Sequence, residues 1–415
     1  MSDTIKRITI EGFKSIRKLE DFELRPLNVL IGANGAGKSN FVEFLRWLRE
    51  AVQQRLWETV RTTGGADAYL HFGPKLTRQI AGKVQFTGGY GYEFTLLPTL
   101  SGQLVFGDER LVFADETVDL TEWATLSGPP QRSVSLGKEN LEAKLKDRWK
   151  DDFGWKGSAR QEVPAWVFDR LSSLMVYHFH DTSTTAGVRR QVDIHQNEFL
   201  YGDGGNLPAF LYRVMFENPA SYERIRDVTR LAAPFFADFL LRPNPLVPGM
   251  IQLEWTQKNT DYLFSASHLS DGTLRFICLA TALLQPSPPG TMVFDEPELG
   301  LHPYALTLLA NLLEVATRRA SQQVIVSTQS AQLVNEFEPE DIIVVERTQG
   351  ESVFRRLESA RLSGWLEDYT LGELWQKNVF GGGPRNEAMP IMPEDNGNSP
   401  AVSEAERGSA GDEHP

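Results

Sequence analysis

Residues 27 to 45 limit what this chain can fold into more than any other stretch. An apolar run, Leu27-Asn28-Val29-Leu30-Ile31, leads into Gly32-Ala33-Asn34-Gly35-Ala36-Gly37-Lys38-Ser39, after which Phe41, Phe44, Leu45, Leu48 and Val52 recur at helical spacing. A strand, a glycine-rich loop and an amphipathic helix in that order make a phosphate-binding loop. Gly32, Gly35 and Gly37 free the backbone to turn its N–H groups around an anion. Lys38 would reach the β- and γ-phosphates, Ser39 would place its hydroxyl on Mg²⁺, and the helix would aim its positive end at the same point. The expected nucleotide contacts are Gly32, Ala33, Asn34, Gly35, Ala36, Gly37, Lys38, Ser39 and Asn40. A chance glycine turn is the alternative, and the strand before the loop and the helix after it speak against that.

A second cluster lies far along the chain. Leu269-Ser270-Asp271-Gly272-Thr273-Leu274-Arg275 opens an apolar helix, and a serine and a glycine at a helix start again present a phosphate-facing surface. Next, Met292-Val293-Phe294-Asp295-Glu296 reads as a buried strand ending in two carboxylates, the Walker B pattern. Asp295 would hold Mg²⁺ through water, and Glu296 would polarise an attacking water. Pro303 suits the first position of the following helix. A further strand, Gln323 to Ser327, ends in Thr328-Gln329-Ser330. Each piece alone is common; their order and spacing together define a class.

The rest of the chain surrounds these clusters. Thr4 to Ile10 alternates as a strand, with a second near Leu19 to Leu24, while Lys83 to Leu97 and Leu104 to Phe113 predict an antiparallel lobe. Lys14 and Ser15 precede the loop in a turn from which they could approach a nucleotide, or remain a solvated turn. Residues 138 to 175, including Leu141, Leu145, Trp149, Trp166, Phe168 and Leu171, are helical in tendency but too short and broken for a coiled coil. His178, His180 and Asp181 end a strand, and a position lining the nucleotide pocket is a better reading than a metal site without a clear third ligand. A helical region is expected through Phe210 to Leu231, and a strand over Met250 to Trp255. From residue 385 the Pro/Gly/Ser/Glu-rich composition predicts a disordered acidic tail.

The net charge of −13 argues against a wholly basic nucleic-acid surface, but residues 386 to 415 carry −6 of it, leaving −7 for the body. A basic groove on one face is compatible with that. The single cysteine, Cys278, lies in an apolar run and excludes an intrachain disulfide. A polar N-terminus and the lack of a spanning apolar stretch predict a cytoplasmic protein.

The segments GFKSI, GANGAGKS, YHFHDTS, DGGNLPAFLY, LSDGTLR, VFDEPELGLHP, VSTQS and LGELWQKN resemble ABC-type ATPases of the RecF/RecN/SMC-like class, most closely the compact bacterial AAA15/AAA_21-type ATPases. The resemblance implies an α/β P-loop NTPase of ABC/SMC-head type with a mixed sheet core, an antiparallel β lobe and a helical lobe. It places the ATPase head over residues 1–384, as lobes 1–135, 136–260 and 261–384. It further implies an ATPase using ATP and Mg²⁺, with Glu296, Lys38 and Gln329 catalytic and Ser39 and Asp295 on the metal. LSDGTLR would be the signature motif and Leu299 to His302 the D-loop. In such enzymes two protomers sandwich two nucleotides, so Ser270 and Gly272 would meet the γ-phosphate held by a second copy.

Gln329 stands where such ATPases usually carry a switch histidine; glutamine cannot become cationic, and slow turnover is expected. The glutamine that reaches Mg²⁺ in ABC-type enzymes has no evident counterpart, and the His180–Asp181 region is the best candidate for that loop. Relatives with coiled-coil arms and a zinc hook need hundreds more residues, and those with a Toprim-type nuclease need a further domain beyond Ile342 to Phe380, so nuclease activity in cis is not expected. The leading expectation is an ATP-gated homodimer acting on DNA in repair or phage defence, with DNA or a separate nuclease as partner. A nucleotide-dependent scaffold with little hydrolysis is the alternative. A transporter subunit fits less well, because GFKSI and LSDGTLR are unlike transporter motifs, and no membrane association is expected.

Overall fold

The computed structural model describes residues 4–113, 133–138, 140–148, 162–318 and 322–383. Trp149 and the expected tail lie outside the described residues. Two six-stranded sheets carry the fold. The first is antiparallel and is built from β1 (Ile5–Phe13), β2 (Ile16–Glu23), β4 (Ile80–Phe86), β5 (Tyr90–Pro98), β6 (Leu104–Phe113) and β7 (Ser133–Gly137), in the order β2-β1-β4-β5-β6-β7. In β4, inward and outward residues alternate along the strand, as a half-covered sheet requires.

The second sheet uses β3 (Leu27–Ile31), β8 (Met175–Tyr177), β14 (Thr291–Asp295), β15 (Gln323–Ser327), β16 (Ile342–Thr348) and β17 (Glu351–Arg356), in the order β17-β16-β3-β15-β14-β8. All neighbours are parallel except the β16–β17 hairpin. Both faces of its parallel strands are covered, which is why they read as continuous apolar runs. Val29, Ile31, Met292, Phe294, Val324 and Val326 face one core, whereas Leu30, Val293 and Ile325 face the other.

Helix α1 (Lys38–Val52) lies in the second of these cores, between the sheets. Its Phe44 ring meets Phe13 of β1 edge-on at 5.3 Å and stacks over Phe94 of β5 at 6.4 Å. This packing ties the glycine-rich loop to the antiparallel lobe. On the other face lie α2 (Leu207–Glu217), α3 (Pro219–Ala232), α4 (Asp271–Leu284) and α5 (Pro303–Arg318). Two expected elements divide. The helix through Phe210 to Leu231 becomes α2 and α3, because Pro219 has no N–H to continue the first and Asn218 caps the second by accepting from Ser221 N at 3.1 Å. The strand expected over Met250 to Trp255 becomes β11 (Met250–Ile251), paired with β9 (Val192–Asp193), and β12 (Glu254–Gln257), paired between β10 (Phe236–Leu240) and β13 (Leu263–Ser265). After Ile342 come the β16–β17 hairpin and two short helices, Ser359–Leu366 and Leu371–Gln376. Among the described residues no helix is long and apolar enough to cross a membrane.

Candidate functional site

The site forms where the parallel strands end. Gly32, Gly35 and Gly37 all take positive φ, and at Gly37 the need is twofold. Its φ of 115° strains any side chain, and a Cβ there would lie 2.8 Å from Ser352 Cβ and 2.9 Å from Ser15 Oγ. Those two serines share a hydrogen bond of 2.6 Å, Asn40 Nδ2 donates to Ser15 at 2.5 Å, and Ser352 donates to the Ala36 carbonyl at 2.6 Å. The GFKSI turn and β17 thus brace the loop from outside. Ser15 is part of that brace, while Lys14 pairs with Glu43 of α1.

Lys38 is buried, and its ammonium donates to the carbonyls of Gly32 at 2.6 Å and Ala33 at 3.2 Å. Burial pulls its pKa below the usual lysine range, while Glu296, Asp295 and Glu298 oppose that fall. The loop lysine and the carboxylates at the end of β14 therefore share one field. Asn34, Gly35 and Ser39 remain open to solvent.

Asp295 closes β14 directly beside β8, whose last residue, Tyr177, pairs with Phe294. Its Oδ2 lies 3.4 Å from His178 Nδ1, and its carbonyl lies 3.1 Å from His180 Nε2. Burial pushes the Asp295 carboxyl up, but His178, the Ser327 hydroxyl and His180 together outweigh it and hold it below the usual range. Its other oxygen, Oδ1, is buried with no hydrogen-bond partner. The neighbouring Ser327 hydroxyl reaches no partner at hydrogen-bond geometry, and a buried carboxylate with an oxygen left over suits a cation, so Asp295 and the exposed Ser39 hydroxyl fit Mg²⁺. A self-contained metal site at His178, His180 and Asp181 does not form. Asp181 instead accepts from Ser183 N at 3.0 Å, and no cluster of three or more such ligands occurs among the described residues.

Glu296 sits in left-handed backbone, φ 44°, held by its N–H donating to Ser327 O at 2.7 Å. Strain of this kind collects at functional positions. Its carboxylate accepts from Gln329 Nε2, so the pair expected to act together does meet. Sequence reading missed what orients the glutamine. Glu298 Oε1 accepts from Thr328 Oγ1 at 2.7 Å and from Gln329 N at 2.8 Å, and burial raises the Glu298 pKa. The visible signal was a second carboxylate two residues after Glu296.

Ser270 and Gly272 belong to another part of the surface. Ser270 Oγ caps α4 by accepting from Thr273 N at 3.2 Å. A Cβ at Gly272 would overlap the Gly300 carbonyl oxygen, so only glycine lets the helix start touch the Leu299–His302 turn. Two arginines tie this helix to the strap after β8. Arg189 donates to Thr182 O at 2.7 Å, Leu269 O at 3.2 Å and Asp271 Oδ1 at 2.7 Å. Arg275, 7% exposed, donates to Phe179 O at 2.8 Å, His180 O at 3.1 Å and the Leu299 carbonyl. The helix start is therefore anchored at the β8 edge. Three strand spacings, roughly 14 Å, separate β8 from β3, which carries the phosphate loop.

This sheet order, with a glycine-rich loop after β3 and carboxylates ending β14, is that of an α/β P-loop NTPase fold. Residues 138–335 match the family model described as "AAA domain, putative AbiEii toxin, Type IV TA system", and residues 7–49 match a second AAA domain model, AAA_23. Among solved structures, the chain is similar to an Smc head bound to the C-winged helix domain of ScpA, with TM-score 0.54 and 15% identity, covering 86% of this chain and 99% of that one. It is also similar to the Pyrococcus furiosus Smc head domain with an extended coiled coil bound to the C-terminal domain of ScpA, with TM-score 0.50 and 16% identity, covering 88% and 98%. No curated protein sequence matches the chain.

Proposed function

We propose that the protein binds and hydrolyses ATP as a homodimer in which each nucleotide lies between the phosphate loop of one copy and the signature serine of the other. The observation that carries this is that Ser270 and Gly272 are tied to the β8 edge of the sheet, three strands from β3, whose loop leads to Lys38 at the start of α1. Three strand spacings, roughly 14 Å, separate β8 from β3, and this supports a pair of half-sites that a second copy completes. Lys38 and the loop N–H groups hold the β- and γ-phosphates. Glu296 accepts a proton from the attacking water, oriented by Gln329, which Glu298 in turn fixes. Mg²⁺ held by Ser39 and Asp295 would neutralise developing phosphate charge. Gln329 remains neutral where a histidine would switch charge, which supports slow turnover.

ATP binding then biases a two-state interface, closing the dimer until hydrolysis reopens it. Work on DNA ends or breaks, in repair or phage defence and alongside a separate nuclease or other accessory subunit, is the biological setting we favour. A cytoplasmic location is part of this proposal. The two similar Smc head structures are each bound to a ScpA domain, and a protein docked on this head would fit the same logic.

The test is size-exclusion of Glu296→Gln with ATP, with and without duplex DNA, beside phosphate release by the wild type and Gln329→Ala. An ATP-stabilised dimer is expected, with turnover lowered by the Gln329 change. A monomer at every ATP concentration would sink the shared site. ATP-driven dimers with no phosphate release by the wild type would instead favour a nucleotide-dependent scaffold.

A further inference from the structure

The strap after β8 brings an imidazole nitrogen to the carboxylate that ends β14. His178 is the first residue beyond the Tyr177–Phe294 pair, so it stands opposite Asp295 at the ends of adjacent parallel strands. Its Nδ1 is 3.4 Å from Asp295 Oδ2. With Asp295 binding the ion directly, and not through water as the sequence reading expects, two neighbouring ligands of one octahedral ion, each ~2.1 Å from it, stand about 3 Å apart. The imidazole and the carboxylate are thus within a few tenths of an ångström of the spacing that a shared cation requires.

The strap is held firmly enough for that placement to matter. The backbone N–H of His178 donates to Gly202 O at 2.8 Å, and the next two carbonyls are clamped by Arg275. The ring of His180 lies over that of His178 at 3.7 Å between centroids, and its Nε2 is 3.1 Å from the Asp295 carbonyl, which confines the His178 ring from one side. The other side is open, since the His178 side chain is 44% exposed while the Asp295 side chain is 12% exposed. Neither histidine has a carboxylate partner of its own besides Asp295 among the described ion pairs.

We propose that His178 supplies a nitrogen ligand to the divalent cation of the nucleotide site, beside Asp295, and that this gives the site a preference for Mn²⁺ over Mg²⁺ relative to an all-oxygen site. The inference rests on the nucleotide-site reading above and adds the identity of a ligand to it. Magnesium demands oxygen donors and dehydrates reluctantly, whereas imidazole suits the later first-row ions and manganese accepts both. His180 is a positioning residue in this arrangement, acting through the orientation of the His178 ring.

The test uses the full chain labelled with ¹⁵N-histidine and loaded with Mn²⁺ and unlabelled ATP at low temperature, so that only histidine nitrogen contributes ¹⁵N coupling in pulsed electron paramagnetic resonance. The expected result is a ¹⁵N coupling that is lost in His178→Gln and kept in His180→Gln, with Mn²⁺ affinity of the nucleotide-bound protein falling about tenfold in His178→Gln and Mg²⁺ affinity changing less than about twofold. Two outcomes overturn the proposal while leaving the nucleotide site standing. One is Mn²⁺ bound in an Asp295-dependent manner with no histidine coupling; the other is a coupling that survives in His178→Gln. Failure of the wild type to bind Mn²⁺ with ATP, or binding unaffected by Asp295→Ala, would overturn the site reading itself. His178 is at the surface, so its replacement leaves the core packing untouched.

Discussion

Replacing Arg275 tests whether the signature helix and the metal-side strap move as one body. The buried guanidinium donates to three backbone carbonyls, those of Phe179, His180 and Leu299, which belong to the strap and to the turn against Gly272. Hydrogen bonds from a charged donor contribute about 1.5–3 kcal/mol each, so the gross loss on removal is about 4–9 kcal/mol. Burial of the charge, visible as an Arg275 pKa pulled below its usual value, offsets part of that. A net cost of about 2–4 kcal/mol is expected for Arg275→Met, against a total stability of order 5–15 kcal/mol. Lysine keeps the charge but can serve one or two of the three carbonyls as a point donor, so Arg275→Lys should retain the fold and lose the coupling. In urea titrations the lysine variant should lie between the wild type and Arg275→Met. Binding of a fluorescent ATP analogue to the monomer should change less than about threefold, because Lys38 is untouched, whereas ATP-driven dimerisation in the Glu296→Gln background should weaken tenfold or more, about 1.4 kcal/mol. A lysine variant with both the urea midpoint and ATP-driven dimerisation of the wild type would refute the reasoning.

The Gly272 contact gives a second prediction. Alanine there meets the Gly300 backbone rather than a movable side chain, so Gly272→Ala should cost about 1–3 kcal/mol in urea, keep ATP binding and lose ATP-driven dimers on size-exclusion; normal dimers would show that the turn yields. A third concerns the antiparallel lobe, where Glu109 is buried and accepts from Tyr92 Oη at 2.8 Å, Lys144 N at 2.8 Å and Leu145 N at 3.0 Å. Burial holds its pKa above the ordinary 4.5. An acid raised in this way adds stability that is full below the unfolded value and is lost as pH rises through the folded one. Tyr92→Phe removes a donor to the charged form and raises the folded value further, so it should cost about 2 kcal/mol at pH 8 and clearly less near pH 5, read by urea unfolding at both pH values. An equal cost at both would show that Glu109 does not carry the effect.

The two motifs legible in the sequence, Gly32 to Ser39 and Met292 to Glu296, share a physical trait. Each is a contiguous run in which an apolar strand delivers polar residues at its end, so local order alone places the chemistry. Gln329 was legible for the same reason, at the end of Gln323 to Ser327. The strap was harder to read. His178 and Asp295 are more than a hundred residues apart, and their meeting depends on β8 pairing with β14, a neighbour relation that no local pattern encodes. Arg275 lies within the LSDGTLR motif, but its role is to satisfy carbonyls of Phe179, His180 and Leu299, and backbone acceptors carry no sequence signature. Helix boundaries failed at Pro219 because apolar periodicity continues across the break while the missing N–H does not.

In the proposed dimer mechanism, the strand order β3-β15-β14-β8 links these separate motifs. It sets the phosphate loop and the Walker B carboxylates within one field, as the opposing influences on Lys38 indicate, and leaves the signature serine three strands away. Within one copy, the route from that serine to the site runs from Ser270 through α4 to Arg275, then to the carbonyls of Phe179 and His180, and from His180 to Asp295. If a partner's nucleotide draws on Ser270, the displacement reaches the residues beside this copy's own metal before it reaches Lys38. Coupling between the two sites of a dimer should therefore appear first in divalent-cation affinity and only afterwards in affinity for the triphosphate, an order that the Arg275→Lys and His178→Gln variants separate.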